Sequence, residues 1–207
     1  LDNALAPYRR NMEDFANTGR LRLFNELGRL WNDQFPMILP PDGEDGLGVV
    51  ILNSNAETHF SFTNALGLVS AEQAKRVVEA TSQFPNARWI IGLHHHLMEY
   101  PMRVAAFSER IGTALINGSW FARKLKPLSG RAIIMHGHRH IDWIGACGGL
   151  QIVSAPSPIM GVGDGDPTHF HIHTLAAAPG GQLQLLAPQR VDIAGSTSID
   201  AAITPRA

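Results

Sequence analysis

Three short apolar runs set the frame of this chain: residues 47–52, 88–93 and 131–135. The first is too short and too β-branched for a buried helix, and all three predict buried strands. Between the first two stands Ser70-Ala-Glu-Gln73, an S-x-x-Q pattern that caps a helix. In that helix Ala74, Val77, Val78 and Thr81 share a face, and Pro85 lies just past its end. Strand, capped helix, strand is a βαβ unit, which predicts an α/β fold with a parallel sheet under a covering helix. Open sheets of this kind place ligand sites outside the carboxyl ends of their strands.

Histidines stand at two of those ends. His94, His95 and His96 follow the run 88–93, and His136-Gly-His-Arg-His140 closes the run 131–135, so six of the chain's ten histidines fall in two clusters. Side chains alternate along a strand, so three consecutive histidines cannot grip one ion. His94, the first histidine beyond the apolar run, is the expected ligand, with His95 lining a substrate pocket and His96 packing. In extended chain the H-x-H spacing sends His138 and His140 to one side, near enough for one ion or two adjacent ions. Gly137 is expected to take the unusual backbone angles where the strand breaks. His136 is a bystander or supports a ligand from behind. Neutral imidazole is the commonest transition-metal ligand, so two such clusters at one sheet edge point to a metal centre.

The rest of the chain reads as one domain: a helical lead-in over 1–46, a sheet core over 47–190 and a tail over 191–207. Leu23, Phe24, Leu27, Leu30 and Trp31 recur at helical spacing, and Pro36, Pro40 and Pro41 then predict a loop. Val104, Phe107, Ile111 and Leu115 suggest a further helix, and Trp120 and Phe121 a short helix or turn that caps the pocket or packs in the core. Residues 150–155, 168–175 and 182–187 are short strand patterns without helices between them, which predicts antiparallel pairing. His169, His171 and His173 alternate with Phe170, Ile172 and Thr174, as in a half-buried strand whose polar face is histidine, the alternative being an adventitious metal site. His59 reads as an ordinary surface or core residue, and Asp164 and Asp166 as part of a turn.

Composition narrows the classes. A net charge of −1 gives no electrostatic reason to expect nucleic acid or an anionic membrane. The lone Cys147 forbids an internal disulfide framework and a cysteine zinc site. No window of about 18 apolar residues exists, and no signal peptide opens the chain, which suggests a cytoplasmic protein. The chain opens on Leu1 rather than methionine, which suggests processing or a fragment.

A hydrophobic strand ending in His-His, followed by one ending in Gly-His-Arg-His, resembles the carboxyl-terminal half of the calcineurin-like metallophosphoesterases. Residues 49–55 and 67–73 are similar to what those enzymes carry between their third metal motif and the histidine pair, and the likeness spans roughly 47–186. It implies half of a four-layer α/β/β/α sandwich with mixed sheets and antiparallel carboxyl-terminal strands. It also implies two bridged divalent ions, of Mn, Fe or Zn, that bind a phosphoester and activate a hydroxide. By this resemblance His94 and His138 hold one ion and His140 the other, with a small-molecule or nucleotide phosphoester as substrate. The family's amino-terminal D-x-H, G-D-x-x-D and G-N-H-D/E elements are absent from these 207 residues, and with them the bridging aspartate and the acid histidine. No catalytic residue is therefore assigned. The expectation is the back half of a phosphoester hydrolase, inactive by itself. One alternative is a non-catalytic scaffold of the same fold. Another is a metallo-β-lactamase-type hydrolase, since His138-Arg-His-Ile-Asp142 matches H-x-H-x-D, although Trp143 replaces the histidine expected next.

Overall fold

The computed structural model describes residues 33–55, 66–100, 115–159 and 167–193. The helices expected before residue 35 and over 104–115 lie almost wholly outside these residues. His59, Asp164, Asp166 and the tail beyond residue 193 lie outside them altogether.

The strands are β1 (Met37–Leu39), β2 (Leu47–Ile51), β3 (Arg88–Gly92), β4 (Ala132–His136), β5 (Trp143–Cys147) and β6 (Leu150–Ser154). They form one sheet in the order β1-β2-β3-β4-β6-β5. Its four central strands run parallel, and β1 and β5 close the edges antiparallel. The protein is α/β, with helices α1 (Ala71–Ser82) and α2 (Gly118–Lys124). Strands β7 (His169–Ile172) and β10 (Gln189–Asp192) pair as one ribbon, and β8 (Leu175–Ala177) and β9 (Leu183–Leu185) as another. No described helix is long and apolar enough to cross a membrane.

Packing follows the pleat. Val50, Trp89, Ile91, Ala132, Ile134 and Ile152 face the helices and pack with Ala74 and Val77 of α1, with Phe121 of α2 and with Leu125 just after it. Ile133 and Val153 point the other way, into a smaller cluster with Leu183, Leu175 and Leu185 of the β8–β9 ribbon. Trp89 is fully buried, and a side chain on Gly48 would overlap its ring, so the glycine makes room for the largest core residue.

Several expectations are corrected. Residues 37–39 are a strand, because an edge strand of three residues tolerates the flanking Pro36 and Pro40, which could not donate to an inner ladder. Residues 150–155 do not join an antiparallel sheet alone: β6 enters between β4 and β5 and pairs β4 in parallel. The unexpected β5 reaches β6 through Gly148-Gly149, both at positive φ, a two-residue turn that glycine permits. The pattern 168–175 is broken into β7 and β8, and Val191 and Asp192 belong to β10, not to a tail. Val78 is 36% exposed, leaving Ala74, Val77 and Thr81 as the buried face of α1. Of the two alternatives for Trp120 and Phe121 the core is the one found: Phe121 is fully buried and Trp120 packs against the core.

Candidate metal centre

A cleft of about 510 Å³ opens at the carboxyl ends of the parallel strands. Asn53, Ser54 and Asn55 come to it from β2, Leu93 and His94 from β3, His136 and Gly137 from β4, and Ala155 from β6. The first of these loops is held by a side chain that sequence read differently. Ser70 Oγ accepts the Gln73 backbone N–H, as an N-cap should. The Gln73 side chain does not return to Ser70: its Oε1 accepts the Asn53 N–H at 3.0 Å and its Nε2 donates to the Asn53 carbonyl at 2.9 Å. Half of the capping box has become a clamp on the loop that carries Ser54.

Ser54 organises the first histidine cluster. Its Oγ accepts the backbone N–H groups of His94 and His95, both at 3.2 Å. That occupies both lone pairs, so the hydroxyl proton goes to His95 Nδ1, 2.9 Å away. A neutral His95 therefore carries its own proton on Nε2 and offers a donor there. Gly67 lies flat against this ring, where any side chain would overlap it.

His138 reaches back to this cluster. Its Nδ1 stands 2.8 Å from His94 Nε2, close enough for the two nitrogens to share one proton or face one cation. Ligand atoms of His94, His95 and His138 all lie within 4.8 Å of one another. His95 lies within this set, but with Nδ1 taken by the Ser54 hydroxyl and its proton on Nε2 it has no lone pair for an ion and acts as a donor to an oxygen rather than as a ligand. His94 is exposed yet its pKa is lowered, first by partial burial of the ring and then by the charge of His140. A neutral ring is the form that ligates, so the set fits a divalent ion.

His140 is exposed beside these rings and is not one of the three. The chain around it is not extended: β4 ends at His136, and His138 and His140 both sit at positive φ, 70° and 56°. Gly137, expected to take the unusual angles, does not; the histidines do. Left-handed backbone in two non-glycine residues is a costly conformation of the kind found at functional loops.

His96 and His136 behave as packed residues. His96 stacks on Tyr100 at 5.5 Å, and His136 lies 6.0 Å from the same ring. Burial, with the nearby charge of His96, pushes the His136 pKa down to about 4. Burial likewise lowers His96, against the raising effect of Glu99.

Asp142 does not join His138 and His140, as H-x-H-x-D would require. It is bonded to His169 and His171 instead. Burial raises its pKa, but the hydrogen bonds from His171 and His169 and their charge outweigh this, and the net shift is downward. The described residues thus hold two groups of metal-ligand side chains. Sequence spacing joins His169 to His171 but not to Asp142, which precedes them by 27 and 29 residues and which no spacing rule connects to them.

No family model matches this chain, and no curated protein matches it. Among solved structures it is similar to a Staphylococcus aureus protein named as a candidate 5′-nucleotidase, solved with α-ketoglutarate. The identity is 13% and the TM-score 0.38, over 73% of this chain and 28% of that one. The chain thus spans little more than a quarter of that protein's length. A TM-score of this size fixes neither family nor reaction.

Proposed function

We propose that this chain is the histidine-bearing half of a metal-dependent phosphoester hydrolase of the calcineurin-like type. The observation that carries the reading is the 2.8 Å approach of His138 Nδ1 to His94 Nε2 at the carboxyl rim of a parallel sheet. His94 and His138 would hold one divalent ion, of Mn, Fe or Zn, and His140 would serve a second. Such ions act as Lewis acids toward phosphoryl oxygens. His95 is buried and is not among the residues that line the cleft; held by Ser54 with its proton on Nε2, it would serve the substrate by donating a hydrogen bond to a phosphoryl oxygen.

The fold leaves room for the missing half. Met37, Leu39, Leu47 and Ile51 share the sheet face away from the helices and are exposed, where β8–β9 does not reach. The second sheet of a four-layer sandwich would cover them. Three imidazoles without carboxylates bring too little negative charge to keep two divalent ions close together, so the carboxylate ligands belong to that other half.

Titration of the chain with Zn²⁺ or Mn²⁺, followed by inorganic phosphate, tests this. One equivalent of metal should disappear in His94→Ala and in His138→Ala, and phosphate should bind only the metal-loaded chain. p-Nitrophenyl phosphate should not be hydrolysed. Turnover abolished by His138→Ala would contradict the half-enzyme reading, and metal binding indifferent to both variants would remove the centre itself.

A further inference from the structure

The second group of ligand side chains lies apart from the His94–His138 pair. His169 and His171 share a face of β7, and their Nε2 atoms lie 3.2 and 2.9 Å from one oxygen, Asp142 Oδ2. Asp142 stands immediately before β5, in the large sheet, whereas among the described residues β7 pairs with β10 alone.

The tautomer of His169 shows that something must sit between these atoms. Its Nδ1 is 3.3 Å from the Pro167 carbonyl oxygen. A carbonyl only accepts, so Nδ1 carries the proton. A neutral ring then turns the lone pair of Nε2 toward a carboxylate oxygen, and two acceptors meet. Only a second proton on the ring or a cation between the atoms makes that approach attractive. His169 is 2% exposed. An Nδ1–H bond to a backbone carbonyl is also how proteins commonly orient a histidine that ligates metal through Nε2.

Burial points the same way. The expected polar outer face of β7 is turned inward: the histidines are covered, while Phe170 is 43% and Ile172 49% exposed. A one-residue slip would bury the apolar pair instead, so a metal held by the inward histidines would offset the apolar burial this register forgoes. His173 extends the covered face, its ring 5.8 Å from that of His171 and its Nδ1 buried without a hydrogen-bond partner among the described residues. Ligands about 2.0–2.1 Å from a tetrahedral ion stand roughly 3.3 Å apart; the 3.2 Å from His169 to Asp142 is close to that, and the 2.9 Å from His171 would have to open by a few tenths of an ångström.

We propose that Asp142, His169 and His171 form a second transition-metal site of the zinc type, distinct from the His94–His138 centre. Two imidazoles and a carboxylate suit zinc and leave one tetrahedral position for water or a further ligand. The ion would tie the β7–β10 ribbon to the approach to β5, across elements that share no strand ladder, and so contribute to the stability of the ribbon.

The test uses the full chain with Zn²⁺ as the only ligand. In the His138→Ala background, which removes the other centre, one equivalent should still bind. Its affinity should fall by about 100-fold or more when His171→Ala or Asp142→Asn is added. Zn²⁺ should also slow hydrogen exchange at the Phe170 and Val191 amides in His138→Ala and not in the double variants. Asp142→Asn keeps the side-chain size, so a loss shared with His171→Ala is not a folding defect. If His138→Ala binds no zinc, or if neither added substitution weakens binding, the site does not exist and the three residues are an ion-paired cluster around a doubly protonated His169. Either result leaves the phosphoesterase reading untouched, because that reading stands on metal lost with His94 and His138.

Discussion

Ser54 holds His95 at two points, accepting its backbone N–H at 3.2 Å and donating its hydroxyl proton to Nδ1 at 2.9 Å. One buried serine therefore fixes both the path of the chain out of β3 and the tautomer of the ring. Ser54→Ala would leave two backbone donors and an imidazole nitrogen without a partner, a loss of about 1–3 kcal/mol. Urea denaturation should show that destabilisation. Nitrogen chemical shifts of the His95 ring should move from a single Nε2–H tautomer to a mixture.

Gly67 constrains the same ring by lying against it. The added Cβ of Gly67→Ala would overlap the His95 imidazole, which cannot swing away without breaking its bond to Ser54. Overpacking of this kind costs about 1–3 kcal/mol. The affinity of the metal-loaded chain for phosphate should fall with His95 displaced, while the metal affinity set by His94 and His138 changes less. Paired metal and phosphate titrations separate the two.

His140 sits at φ 56° and is exposed. Left-handed backbone costs an L-residue about 1–2 kcal/mol, against roughly 0.5–1 kcal/mol of unfolded-state entropy that glycine adds. His140→Gly should therefore leave metal-free stability unchanged or raise it by about 0.5–1 kcal/mol. A thermal melt in chelator reads this. A clear drop in stability would show that the His140 ring makes contacts which outweigh its backbone strain.

The same metal-free protein should weaken in mild acid. The folded pKa of His136, about 4, lies below the 6.5 of an ordinary histidine, so on acidification the unfolded chain takes up that proton first. Stability is full above pH 6.5 and declines as the pH falls toward 4, by about 3 kcal/mol at most. The lowered pKa of His96 acts in the same direction. Denaturation midpoints between pH 7 and 4 should fall in wild type, and less steeply in His136→Gln.

The parallel core was legible because each of its strands carries its own local signal: an apolar run, then a break. β5 and β10 carried little, since Trp143-Ile-Gly-Ala-Cys147 alternates weakly and Gln189–Asp192 has one apolar residue; each is placed by its partner strand. The approach of His94 to His138 could be anticipated, because strands adjacent in a parallel sheet release their next residues at the same rim. The roles of Ser54 and Asp142 could not. Each acts through an atom delivered from a distant element, and no spacing in the sequence records that Ser54 lies under His95 or that Asp142 lies under β7.

Gln73 shows how a correct local reading can miss the function of a residue, and it gives a sharp test. In a capping box Ser70 and Gln73 would cap α1 reciprocally, yet only Ser70 does so; Gln73 instead satisfies both backbone groups of Asn53. Ser70→Ala removes a helix cap and should cost about 1 kcal/mol without touching the cleft. Gln73→Ala leaves the Asn53 N–H and carbonyl without their partner and frees the loop whose next residue, Ser54, positions His95. A similar or larger loss of stability is expected, about 1–3 kcal/mol. Phosphate affinity of the metal-loaded chain should drop with it, although Gln73 touches none of the histidines. Equal phosphate affinity in the two variants would mean that Ser54 keeps its place without the clamp. Gln73 would then be a structural bond between α1 and β2 and nothing more.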